Sequence, residues 1–485
     1  MKKIFYLNFI GMLILLSSSC QKMLDIKPVN SMMPVTIADY ESVLLGGYPK
    51  QDFYFKTELM TDNAFVNLQT SSTLDRANEP WFVWASTHQL EGVADDPYWG
   101  QLYKSVYYAN TVLDEFSKRS PSASEKVLFE TVKGEAYALR AFSYFYLLNL
   151  YADVYAPETL SEPGVPMPLT AVDIHQNTQN NVRVSIEKVW NQIQMDIDQA
   201  SALLMGKPLK SKFRFNYNSL QLFKARVNLF MGDYEGAIAA STIVMNTRSL
   251  FNMNETQAHI DGKDRESEAF MSNYGMIDSD YKNEVLFFMA GKANNNIFYH
   301  GMAACKPSVE LLDLCRRNGV KDYRRYIFDS FADLTTADGI QTGPTIYNMF
   351  AKQENGSYHI GLKVSEAYVM RAEAYAKLGR LEPAITDLNN LLVNRIKKEE
   401  FVPLKLADFS DQNQLLKRIY EERRIEMAFE GGLRWFDLRR LGKPSITHTY
   451  KNGQVYTLKE KDPRYVLQIP LSEQINSPEM PLNKR

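Results

Sequence analysis

Two stretches of this chain, 147 residues apart, are written to one plan, and that repetition constrains the fold more than any other feature. Residues 221–244 read QLFKARVNLFMGDYEGAIAASTIV, and residues 368–391 read YVMRAEAYAKLGRLEPAITDLNNL. Each has a small residue where two helices would touch (Ala225, Ala372), a glycine ending the first helix (Gly232, Gly379) and an Ala-Ile pair opening the second (Ala237-Ile238, Ala384-Ile385). Helices approach closely only over a small side chain, and the tight turn between them takes a positive φ that glycine adopts at little cost. The spacing therefore predicts helical hairpins.

The second copy fits the tetratricopeptide pattern, with Tyr368, Ala372, Tyr375, Ala384 and Leu388 in step. A separation of 147 residues rather than 34 predicts a few hairpins with long excursions between them, not a tandem array. Further helices are expected over 98–118, 124–151 and 185–204. The first carries Trp99, Leu102, Tyr103, Val106, Tyr107, Asn110, Leu113 and Phe116 at three-and-four spacing; the second is almost free of polar residues after Ala141. A long loop, 156–181, separates the second from the third. Segments 251–361 and 448–485 are rich in Gly, Asn and Asp with short β-like runs such as 285–289, and read as loops, small helices and a short hairpin over one side of the scaffold. The expectation is a mostly α fold in one domain over 20–485: an N-terminal segment with loops (20–96), helical hairpins (97–250), a loop-rich ligand-side excursion (251–361), further hairpins (362–447) and a closing segment (448–485).

The first residues carry a different message. Lys2 and Lys3 precede an apolar run from 4 to 16, broken by Asn8, and Ser17, Ser18 and Ser19 lead into Cys20. Thirteen residues are too few to span about 30 Å of hydrocarbon as a helix. The pattern reads as a secretory signal over 1–19. Small residues before Cys20 resemble a bacterial lipobox, in which the cysteine is acylated and becomes the first residue, although Ser17 stands where leucine is usual. Acyl chains contribute about 0.8 kcal/mol per buried CH₂, so a mature chain of 466 residues would be anchored without spanning. Of the remaining cysteines, Cys315 falls eight residues along a helix expected from Pro307, about 12 Å of rise. A disulfide needs Cα atoms within roughly 7 Å, so Cys305 and Cys315 are expected as free thiols.

Little points to catalysis. With 55 basic and 57 acidic side chains the net charge is −2, which argues against a nucleic-acid-binding or polybasic membrane-surface protein. Six histidines are scattered without metal-ligand spacing, and there is no Gly-x-Ser-x-Gly elbow, phosphate loop or dinucleotide-binding glycine run. No enzyme, cofactor or metal site is expected. Asp96 before Pro97 reads as a helix N-cap, and the charge run 421–426 as Glu–Arg pairs along a helix surface, each contributing a few tenths of a kcal/mol.

The C-terminal residues carry a family resemblance. ERRIEMAFEGGLRWFDLRRLGK (422–443) resembles a signature of the RagB/SusD family of outer-membrane nutrient-binding lipoproteins. Four other stretches agree in order: CQKMLDIKP (20–28), WGQLYKSVYYANTVLD (99–114), GEAYALRAFSYFYLLNLYADV (134–154) and YVLQIPLSEQINSPEM (465–480). The resemblance implies a tetratricopeptide-like scaffold with a loop-rich ligand side, and a lipid anchor at Cys20 in the outer membrane of a Bacteroidetes-type bacterium, facing outward. It also implies a TonB-dependent β-barrel partner of the SusC type, with ligand captured and handed on without catalysis. Within the signature, Trp435 and Phe436 are expected to bury against the last hairpin, and Arg434 and Asp437, three apart, to pair or cap a turn.

A glycan site needs aromatic rings for the flat C–H faces of sugars, with amides, carboxylates or arginine for the hydroxyls. Residues 78–84, NEPWFVW, are the leading candidate, with Asn78, Trp81 and Trp84 as contacts; the competing reading has both tryptophans covering the scaffold from a β-like strand. Asn296 and Tyr299, in NNNIFY (294–299), form a second candidate, and Asp62 with Asn63 a weaker third. A peptide receptor, which would favour a deeper pocket with charged ends, and a lid that binds only its barrel remain as rival readings, with a glycosidase further off.

Overall fold

The computed structural model describes residues 34–49, 55–66, 78–86, 96, 98–171, 182–256, 284–292, 305–324, 353–354, 357–451 and 453–485. The start of the chain, including Cys20, lies outside them, as do Asn296 and Tyr299. Among the described residues the fold is mostly helical, with a few short strands.

The first helix, α1 (Ile37–Gly47), opens with a capping box in which Thr36 and Asp39 bond each other's backbone N–H. Two short helices follow, α2 (Phe55–Leu59) and α3 (Glu79–Phe82). At the head of α4 (Trp99–Ser117), Asp96 Oδ1 accepts from the backbone N–H of Tyr98 (2.8 Å) and Trp99 (3.3 Å), the capping role its position before Pro97 predicts. The buried face of α4 is rotated from the expected one: Tyr107 is 48% exposed, while Ala109 and Val112 are buried. Helix α5 (Lys126–Tyr151) is buried at every residue from Ala138 onward. Helix α6 (Ile186–Leu204) starts at Ser185, whose hydroxyl accepts from Lys188 N. The loop before it contains β2 (Pro163–Pro166), which pairs with β3 (Arg183–Ser185).

The two matched stretches are hairpins. Helices α7 (Tyr217–Met231) and α8 (Tyr234–Met245) meet at Gly232, φ +79°. Beyond a short helix α9 (Val309–Cys315), helices α10 (Val364–Lys377) and α11 (Leu381–Leu392) meet at Gly379, φ +74°. Ala225 and Ala372 are fully buried. In space the hairpins are consecutive: α10 packs on α8 and α7, Arg371 bonds Thr242 Oγ1 (2.8 Å), and Arg226 forks onto Glu366 (2.9 and 2.6 Å). The 147-residue separation therefore leaves the stack intact, with the excursion emerging between two touching repeats. Helix α12 (Gln412–Glu426) extends the stack, followed by α13 (Leu433–Arg440) and, near the end, α14 (Leu471–Asn476).

The excursions contribute small sheets. Strand β1 (Ala64–Val66) pairs antiparallel with β5 (Cys305–Pro307). The run predicted over 285–289 is β4 (Val285–Lys292), paired with β7 (Ser357–Lys363), which also pairs with β6 (Gln353–Glu354). Strands β8 (Ile446–Tyr450) and β9 (Gln454–Leu458) form a hairpin in the closing segment. Cys315, at the end of α9, is buried.

Helix α12 departs most from expectation. Its charge run faces inward: Glu422, Arg423 and Glu426 are at most 2% exposed. Glu426 binds Arg395 (3.0 Å), which also holds Glu284 (2.8 Å) and the Phe251 carbonyl (2.6 Å). Arg324 bridges Asp322 and Glu422 (2.6 Å each), and Arg423 joins Asp437 (2.8 Å) to Glu366 (3.4 Å). An amphipathic reading from spacing misses this because the partners of Glu422, Arg423 and Glu426 lie up to 105 residues away along the chain. Burial pushes the Glu422, Glu426 and Asp437 carboxyls up, but the neighbouring cations outweigh it and hold all three below the ordinary carboxylate range.

Two outcomes follow. Arg395→Ala takes the arginine from buried Glu284 and leaves Glu426 with Arg324 and Lys363, and is expected to lower stability by about 3–5 kcal/mol, whereas Arg380→Ala, at an exposed pair with Glu235, costs about 0–1 kcal/mol; urea midpoints compare them. Because the folded carboxyls titrate below their unfolded values, their stabilisation is complete above about pH 4.5 and fades as pH falls through the depressed folded values. Acid unfolding followed by circular dichroism should begin in that window, and an onset near neutral pH would contradict it.

Candidate functional site

The loop-bearing segments meet at one turn, residues 60–63, and the meeting is made by backbone carbonyls. Trp84 Nε1 donates to the Met60 carbonyl (3.0 Å), and His448 Nε2 contacts that of Thr61 (3.0 Å). The Asp62 carbonyl accepts from Arg424 Nη2 (2.8 Å) and Ser308 Oγ (2.7 Å), and the Asn63 carbonyl from the Ser308 backbone N–H (2.7 Å). Four consecutive carbonyls thus hold side chains or backbone from four other parts of the chain. The adjoining pairing of β1 with β5 joins two excursions, and the β8–β9 hairpin supplies His448.

Side chains add to the junction. Arg434 grips Asp62 with two bonds of 2.7 Å, and Arg424 Nε donates to Asn63 Oδ1 (2.7 Å). Burial would raise the Asp62 carboxyl, but Arg434 and then Arg424 hold it below its usual value. Arg434 therefore pairs with Asp62 rather than Asp437, whose oxygens are taken by Arg423 and Arg440 (2.8 Å each). Trp435 and Phe436 are buried as expected, but against other partners than the last hairpin. Trp435 stacks on Tyr465 of the closing segment (4.9 Å between centroids), and Phe436 meets Phe145 and Tyr146 of α5 edge-on.

The leading ligand candidates need correction. Trp81 and Trp84 are each 1% exposed, so the stacking faces expected of a platform are covered by protein. They cover the scaffold from a four-residue helix, α3, and the turn after it, not from a strand. Trp81 packs edge-on against Tyr98 (5.5 Å), and Trp84 stacks on His448 (4.0 Å), whose other face lies on Phe82 (4.2 Å). Asn78 is 8% exposed, and its carbonyl accepts from Trp81 N (3.2 Å) at the start of α3. Asp62 and Asn63 hold the junction together and are committed to arginines.

The site residues that sequence reasoning missed are those of the closing segment. His448 Nδ1 contacts the Phe82 carbonyl (2.7 Å), Arg464 donates to the Trp84 carbonyl (3.0 Å) and Lys451 pairs with Glu79 (2.7 Å). Trp84 itself sits at φ +49°, a left-handed conformation costly for a tryptophan, and these contacts hold it there. Nothing local marks His448 or Arg464, which reach back more than 360 residues. Segments 67–77, 87–95 and 293–304 adjoin this junction along the chain and lie outside the described residues. Among the described residues no cluster of three or more His, Cys, Asp or Glu could hold a metal ion.

Comparison with known proteins bears on what such a scaffold is. A family model described as "SusD family" matches residues 214–481, more than half of the chain. The chain belongs to the SusD family. A second model, described as "Starch-binding associating with outer membrane", matches residues 22–229 of this SusD-family chain. SusD-like protein P38 of Formosa agariphila is 23% identical over 488 residues, with 88% of this chain and 89% of that protein covered. Among solved structures, a SusD superfamily protein of Bacteroides thetaiotaomicron superposes with a TM-score of 0.72 at 20% identity, covering 93% of this chain and all of that one. A laminarin binding SusD-like protein gives 0.61 at 16% identity, covering 92% and 98%. At these identities the structural likeness is one of fold.

Two measurements probe the junction. Trp84→Ala removes a buried ring and an indole donor and should cost about 3–5 kcal/mol, read as a shift of the urea midpoint. Burial lowers the His448 pKa from its ordinary 6.5, and the Phe82 and Thr61 carbonyls raise it only part of the way back. Below about pH 6.5 the unfolded chain therefore takes up a proton that the folded His448 resists. Stability should decline from that pH downward, with the decline reduced in His448→Gln; an equal decline in both would remove His448 as its source.

Proposed function

We propose that this chain is an outer-membrane surface lipoprotein, acylated at Cys20, that binds a glycan and delivers it to a SusC-type TonB-dependent β-barrel without catalysing any reaction on it. The observation that carries the reading is the pair of family matches covering 22–229 and 214–481, one of them described by starch binding and outer-membrane association. A fold neighbour that binds laminarin supports a carbohydrate ligand. The junction also suits a binder better than a hydrolase. Its carboxylate Asp62 is locked between two arginines and held ionised, which suits it to fixing loops and leaves it no proton to give a glycosidic oxygen.

In this reading Trp81, Trp84 and Asn78 fix the base of the binding loops, and Asn296 and Tyr299, just ahead of β5, supply ligand contacts. Affinity electrophoresis of the mature chain through gels containing laminarin, starch or mucin glycans tests it, with Asn296→Ala/Tyr299→Ala alongside. Retardation by one glycan, weakened at least tenfold in the variant, is the expected result. Retardation unchanged by the variant keeps the glycan and discards these two contacts. If no glycan retards the chain, and a mixed peptide pool protects it against thermal unfolding instead, the ligand class is wrong.

A further inference from the structure

One end of the helical scaffold gathers the last turn of α4, the first turn of α5, the end of α6 and the start of α1. The contacts show it: Arg119, just past α4, donates to the Val35 carbonyl ahead of α1; Lys207, just past α6, pairs with Glu130 in α5; and Lys210 pairs with Glu41 in α1 (2.6 Å). The same end carries exposed apolar side chains: Val35 (57%), Val127 (52%), Met205 (60%), Leu209 (49%) and Phe213 (53%). Between them stand ammonium groups turned to solvent, with the side chains of Lys118 and Lys126 69% and 66% exposed and that of Lys210 36%. Lys212 and Arg248 line a small cleft of about 210 Å³ beside Leu209. The carboxylates that partner these cations, Glu41, Glu115 and Glu130, are set back, at 17–28% exposure. Asp39, Asp114 and Glu125 are further acids here: Asp39 accepts from the Thr36 backbone N–H, Asp114 from that of Ala171, and Glu125 from Ser122 ahead of α5.

We propose that this end is a membrane-apposed face, its lysines meeting the phosphate headgroups of the leaflet that holds the anchor and its apolar tips entering the headgroup region. Lysines interleaved with single exposed apolar side chains are the composition of an interfacial contact, since long cationic stems keep the charge in water while apolar neighbours insert. Charge complementarity favours phosphate, and the position of the tether favours a membrane over a soluble anion. The described chain begins at Pro34, beside Arg119 on this very end, and the fourteen residue-to-residue steps from Cys20 to Pro34 reach at most about 48 Å. This end is thereby held close to the bilayer, where a weak surface attraction is multiplied by a high effective concentration. The inference rests on the lipoprotein reading above.

The test removes the lipid so that only the face is read. The mature chain carrying Cys20→Ser is titrated with vesicles of phosphatidylethanolamine and phosphatidylglycerol, and with vesicles of phosphatidylcholine alone. Each lysine near an anionic surface contributes about a fivefold gain. Lys118→Ala/Lys126→Ala/Lys210→Ala should then weaken binding to the anionic vesicles by roughly 100-fold with an unchanged circular dichroism spectrum, and salt should act in the same direction. Binding that ignores the triple substitution, binding equal on phosphatidylcholine, or no binding to the anionic vesicles overturns the proposal. Mass spectrometry of the wild-type chain extracted from membranes reads acylation at Cys20 separately, so a failed anchor and a failed face are told apart.

Discussion

The structure depends on charges turned inward from α12. Glu422, Arg423 and Glu426 sit on one buried face and tie four separate regions to it: the excursion at Glu284, the segment at Asp322 and Arg324, the hairpin helix α10 at Glu366, and α13 at Asp437. Each ion is paired with an opposite one and hydrogen-bonded, which is the condition under which buried charge is tolerated. Hydrophobic contact fixes no partner, whereas a buried guanidinium accepts few arrangements other than its carboxylates. In a chain whose helices all offer similar apolar faces, this network selects which excursion returns to which helix. The signature stretch 422–443 is therefore legible as a set of mutual bonds rather than as a ligand site.

Much of the scaffold was readable because it rests on local rules. Gly232 and Gly379 ended their helices at positive φ, Ala225 and Ala372 were buried at crossings, and Asp96 capped α4. These depend on neighbours three or four residues away. The candidate site was readable only in part, because its bonds are long-range. Residues 78–84 read as a ligand platform, because the spacing of Trp81 and Trp84 cannot reveal that His448 fills the space between Phe82 and Trp84. Arg434 pairs with Asp62, 372 residues away, and Asp437, three residues from Arg434, pairs with Arg423 and Arg440 instead. The family resemblance supplied what spacing could not, and the matches to residues 22–229 and 214–481 agree with it.

The carbonyl junction can stay fixed while the sequence around it varies. Met60, Thr61, Asp62 and Asn63 contribute backbone oxygens, which are indifferent to side-chain identity. The segments that adjoin the junction can change sequence without disturbing these bonds, since the donors come from Trp84, Ser308, Arg424 and His448, inside the base itself. Loops carried on such a base are where recognition is usually diversified.

The stacking of α10 against α8 also sets an order of events during synthesis. A ribosome completes α8 at Met245 and does not finish α10 until Lys377, so the flank of α8 at Thr242, which α10 meets, waits more than a hundred residues for its cover. Contacts this distant in sequence form slowly, and an uncovered apolar helix face is prone to aggregation while it waits. Of the two hairpins, the first is thus made with the flank that meets α10 still open, and the stack closes only when the second hairpin follows.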